Sequence, residues 1–86
     1  METKKYLKTF FEEKNIPFQI FTITDIHNNT HYIDTNVVIE NILSTTSTEQ
    51  AQIAMILRKI DFKNGDVNHF LKYLAYGMVK QYQTAA

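Results

Sequence analysis

The stretch from Asp66 to Tyr82 constrains this chain most, because it reads as a helix with two usable faces. On a helical wheel Val67, Phe70, Leu71, Leu74, Ala75, Met78 and Tyr82 fall on one stripe, which can anchor the helix in a core. His69, Tyr73, Tyr76 and Lys80 lie nearly opposite, at successive spacings of four, three and four. This second stripe sets two aromatics and two basic-capable groups where water, or a partner, should be. Gly77 beside Tyr73 lets another backbone come close, although Gly inside a helix costs about 1 kcal/mol relative to Ala. An alternative packs Tyr73 and Tyr76 against the first helix and encloses the last one fully.

The rest of the chain must supply the core this helix docks on. Tyr6, Leu7, Phe10 and Phe11 recur at helical spacing between Thr3 and Lys14, with Lys4, Lys8 and Glu12 on the other side. Asn15 and Pro17 end that helix. Phe18 to Ile26 is rich in aromatic, β-branched and Thr residues, which predicts a strand. His27-Asn28-Asn29-Thr30 supplies turn chemistry, and Thr30 to Asp34 returns as a second strand. Asp34, Thr35 or Asn36 caps a helix reaching Leu43, with Val38, Ile39, Ile42 and Leu43 inward. Ser47-Thr48-Glu49-Gln50 reads as a capping box opening a helix to Ile60, with Ile53, Ile56, Leu57 and Ile60 as its stripe. Asp61 to Gly65 reads as a turn and Asp66 as the cap of the last helix, which predicts an antiparallel helix pair. The expected fold is α+β: one domain over residues 1–86 in the order helix, β-hairpin, three helices, mostly helical, with fraying at about 1–3 and 84–86. Phe10, Ile39, Ile42, Ile53, Leu57, Phe70, Leu71 and Leu74 are its expected core.

A two-residue turn at Asn28-Asn29 gives the hairpin two apolar faces. Ile20, Ile26 and Ile33 share one, and Phe21, Ile23 and Tyr32 share the other. Two such faces call for cover on both sides, from the chain's own helices or from a second copy. The bland alternative leaves Thr22, Thr24 and part of Tyr32 exposed.

Composition narrows the function. With 86 residues, 44% of them hydrophobic and 21% charged, the chain is a small globular domain. There is no cysteine, which excludes disulfides, thiolate zinc and a cysteine nucleophile. His27, His31 and His69 lack metal-ligand spacing, and Asp61 to Asp66 departs from a calcium loop, with Gly65 one place early and Lys72 where its last Glu belongs. Glu12-Glu13 and Asp61/Asp66 sit in no apolar stripe that would tune them as acid and base. No Gly-rich phosphate loop or nucleophile elbow is present. No catalytic residue, cofactor site or metal site is therefore expected, and the chain does not read as an enzyme. Without a signal-like N-terminus or a run of roughly 20 apolar residues, it is expected to be soluble and cytoplasmic.

Two functions remain. The first is a non-catalytic protein-interaction or accessory module, self-associating as a homodimer or binding another protein through Tyr73, Tyr76, His69 and Lys80, or through Phe21, Ile23 and Tyr32. The second is a nucleic-acid-binding regulator using the basic and aromatic face of the last helix. A helix-turn-helix fits poorly, because the polar loop comes after the expected tight turn and Asp66 would meet phosphate. A formal net charge of zero also favours the first function.

Overall fold

A short antiparallel hairpin stands between the first helix and the last three, so the α+β order agrees with the sequence. The computed structural model describes residues 3–60 and 66–84, with side chains as far as 80. Its elements are α1 (Thr3–Glu13), β1 (Ile20–Thr24), β2 (Thr30–Asp34), α2 (Thr35–Ser44), α3 (Ser47–Lys59) and α4 (Asp66–Thr84). The expected turn at Asp61 to Gly65 and the Tyr82 side chain lie outside the described residues. The described helices begin at Thr3 and end at Thr84.

The hairpin corrects the sequence reading at its turn. Asp25 N–H donates to the Asn29 carbonyl and Asn28 N–H to the Asp25 carbonyl, leaving Ile26, His27 and Asn28 as a three-residue loop. Asn28 carries the left-handed conformation, φ 66°, that closes such a loop. Thr24 therefore faces Thr30, where a two-residue turn would have put His27 opposite Thr30. A shift of three residues is odd, and an odd shift exchanges the faces of one strand relative to the other. Phe21 pairs with Ile33, and both are buried with Ile23. Ile20, Thr22 and Tyr32 share the opposite, solvent side. The hairpin has one dry face and one wet face, and the expected pair of apolar faces disappears.

The caps follow from local chemistry. Asp34 is the N-cap of α2, its Oδ1 accepting from Val37 N–H at 2.9 Å. Thr35 is buried and ties the start of α2 to β1: Gln19 N–H donates to Thr35 Oγ1 at 2.8 Å, and Thr35 N–H donates to the Gln19 carbonyl at 3.0 Å. The N-cap of α3 sits one residue earlier than expected. Thr46 is the N-cap and accepts from Glu49 N–H at 3.2 Å, while the Thr45 hydroxyl donates to Glu49 Oε2. Gln50 does not reach back to Ser47. It is buried, and its Nε2 donates to the Ile42 carbonyl at 3.1 Å, satisfying one of the last four carbonyls of α2.

One buried cluster joins all six elements, among them Leu7, Ile23, Val38, Ile42, Leu57 and Leu71, each essentially inaccessible. Burying each such side chain favours the fold by roughly 1.5–3 kcal/mol. Phe10 and Ile53 belong to this cluster as expected. Phe70 and Leu74 are half-buried at its margin, and Ile39 is half-buried outside it. Among the described residues, α3 and α4 touch at most weakly, where the sequence predicts an antiparallel pair. The buried face of α3 is Gln50, Ile53, Ala54 and Leu57, and it turns toward α1, where the Arg58 guanidinium lies 4.7 Å from the Tyr6 ring centroid. Among the described residues, α4 packs instead on β1 and α2, through the i,i+4 row Val67, Leu71, Ala75 and Val79.

Candidate functional site

Because α3 leans on α1 and α4 on the hairpin, the two helices stand apart. Between them runs a groove of about 630 Å³, closed at one side by the end of α2. Ile42 and Ile53 form its core side. Ile56 comes from α3, and Phe70, Leu74 and Met78 come from α4. Polar groups stand at the margin: Asn41 and Thr45 from α2, Glu49 and Gln52 from α3, and Lys80 from α4. The lining is an apolar trough with a polar rim, which suits noncovalent capture of an apolar surface. Of the Glu49 carboxylate, Oε2 accepts from the Thr45 hydroxyl at the start of α3.

The outer stripe of α4 borders the groove. Tyr73 is 71% exposed and Tyr76 50% exposed, and both line the trough. His69, Lys72 and Lys80 are exposed along the same helix. The alternative in which the tyrosines pack on α1 is thereby excluded. Ile56, expected in the buried stripe of α3, is instead 44% exposed on the groove wall. Gly77 lies in the wall with open space where its Cβ would project: among the described residues, nothing beyond its own stretch of helix backbone comes within 4 Å of that position. Among the described residues no packing contact requires glycine there, where the residue costs the helix about 1 kcal/mol relative to Ala.

The second expected set divides. Tyr32 is 72% exposed on the outer hairpin face, while Phe21 and Ile23 are buried under the chain's own helices and cannot meet a partner in this fold. The three-residue loop explains the difference, since it sends Phe21 and Ile23 inward with Ile33. Sequence reasoning missed the α3 wall of the groove and the role of Val79 in seating α4. Val79 was legible as the fourth member of the row from Val67. The groove wall was not, because it depends on which helix α3 chooses as neighbour.

An acid–base pair lies away from the groove, in the hairpin loop. His31 Nε2 is 2.8 Å from Asp25 Oδ2, and Asp25 Oδ1 accepts from Asn29 N–H at 2.9 Å and His27 N–H at 2.8 Å. The His31 hydrogen bond, then the Asn29 amide, hold the Asp25 carboxyl at about 2, below its ordinary 3.8. This network fastens the loop. Among the described residues, no three acidic or histidine side chains converge in a way that would hold a metal ion. No helix among them is long and apolar enough to cross a membrane. No protein-family model, curated protein or solved structure matches this chain.

Proposed function

We propose that the protein is a non-catalytic interaction module, cytoplasmic and self-associating, whose α3–α4 groove receives an amphipathic helix from a protein partner. The observation that carries this reading is Gly77. It stands mid-helix in the groove wall with open space over it, beside the exposed Tyr73 and Tyr76. A bare backbone stretch flanked by aromatics lets a second helix approach closely and bury area at low entropy cost. The apolar trough supplies anchor positions for residues at i, i+3, i+4 and i+7 of the incoming helix.

The test is a display selection of amphipathic helical peptides against the folded protein, followed by chemical-shift mapping of the best binder. Shifts centred on Ile53, Ile56, Phe70, Tyr73 and Gly77 support the reading. Shifts confined to other surfaces, or no binder from a diverse library, contradict it. The second reading, nucleic-acid binding, draws on the exposure of His69, Lys72 and Tyr73 on one face. It requires single-strand binding that weakens steeply between about 50 and 200 mM salt and is lost in Lys72→Glu/Lys80→Glu. With zero net charge, no oligonucleotide binding is expected at physiological salt.

A further inference from the structure

We infer that the free edge of β1 is a self-association seam, at which two copies join their β1 strands antiparallel about Thr22 into one four-stranded sheet. The inference deepens the self-association part of the reading above and uses the flank of α4 away from the groove.

Backbone bonding identifies the edge. Gln19 accepts from Thr35 N–H across the hairpin, and Asp25 N–H donates to Asn29. Antiparallel bonds alternate along a strand, so Phe21 and Ile23 also direct their backbone groups toward β2. Ile20, Thr22 and Thr24 direct theirs the other way. Among the described residues the sheet has two strands, and no described group bonds the backbone of these three residues on its outward side. The strand itself carries no guard: Ile20 to Thr24 contains no charge, no proline and no bulge.

The outward set is complementary to itself. A twofold axis at Thr22 places Ile20 opposite Thr24 of the second copy and Thr22 opposite its own equivalent, and each such pair can exchange two backbone hydrogen bonds. There is also space for the added strand. A cavity of about 530 Å³ lies beside this edge, between Gln19 to Thr22 and the Asn68, His69 and Lys72 positions of α4. Asn68 lines that space, and its Oδ1 is buried without a hydrogen-bond partner, so it is an acceptor awaiting a donor.

A second copy is the occupant that fits best. β1 is uncharged and rich in Ile and Thr, and the chain has zero net charge, so no long-range repulsion opposes the approach of two copies. Joining the sheets also sets the two outer faces side by side, with Ile20, 61% exposed, next to Thr24 of the second copy.

Sedimentation and amide exchange test the seam. The parent chain should sediment as a dimer, and exchange at Ile20, Thr22 and Thr24 should slow at least about tenfold from about 10 μM to about 1 mM protein. Thr22→Pro removes an outward N–H unused within the chain and should give a folded monomer. If that variant fails to fold, Ile20→Lys/Thr24→Lys, which changes only solvent-facing side chains, should do the same. A parent that stays monomeric at high concentration overturns the seam and self-association together. A dimer that persists in either folded edge variant, or that dissociates on Tyr73→Glu without protecting these amides, overturns the seam alone.

Discussion

The hairpin and α4 each carry more apolar and aromatic surface than one buried face needs, yet they arrange it by different rules. In α4 the two stripes seen in the sequence largely keep their sides, Leu71 and Ala75 inward and Tyr73 and Tyr76 outward, while Phe70, Leu74 and Met78 of the inner stripe stop half-buried on the groove wall. A helix fixes its faces by its own 3.6-residue period, whatever it packs against. In the hairpin, the assignment of Tyr32 to a face depends on how many residues make the turn. A strand alternates by itself, but which residues of two strands share a face is set by register. Helix faces are local information, whereas sheet faces belong to the pair.

Substitutions on opposite faces break this comparison if it is wrong. Leu71→Ala in α4 and Ile23→Ala in β1 both empty fully buried positions, and each should cost about 2–5 kcal/mol in urea unfolding. Leu74, half-buried at the margin, should cost less than Leu71. Gln50→Leu comes next. It strands the Ile42 carbonyl inside the protein, at a cost of roughly 1–3 kcal/mol. Ile20→Thr, on the wet face, should stay within about 0.5 kcal/mol of the parent. A two-residue turn would put Ile20 with Ile33 and make this change expensive, so the Ile20 result reads the register directly.

The smallest effect concerns pH. The Asp25 carboxyl titrates near 2 when folded, against 3.8 ordinarily, because its ionised form is bonded to His31, Asn29 and His27. The depressed value means that its contribution is complete above the unfolded value and is lost as pH falls through the folded one. Acid unfolding of the parent should therefore steepen between 3.8 and about 2. Asp25→Asn should flatten that segment and speed exchange of the Asn29 amide at neutral pH. Identical acid curves for the two proteins would show that the loop network is not formed.

Most of the fold was legible because most of it is helical. Caps at Asp34 and near Ser47, the stripe on α4 and the strand limits Thr30 and Asp34 all rest on neighbours in sequence. The errors around α3 share one cause. Ile56, Gln50 and the α3–α4 pairing all depended on which element α3 meets, a choice made by the whole core. Gln50 misled because a buried glutamine that caps a neighbouring helix looks like a surface residue in sequence. The candidate site was half legible for the same reason. Its tyrosines lie on a helix face, but its groove exists because two helices part company.

Gly77→Ala tests the central claim most directly, in one urea titration with and without the groove-binding helical peptide. The Cβ meets open space, so the variant should be more stable than the parent by roughly 0.4–1 kcal/mol. The same methyl group should obstruct an incoming helix, so the stabilisation the peptide gives the parent should shrink or vanish. Opposite signs for fold and binding are the predicted result. A destabilised variant, or one that is stabilised and still binds the peptide as tightly as the parent, would contradict the account.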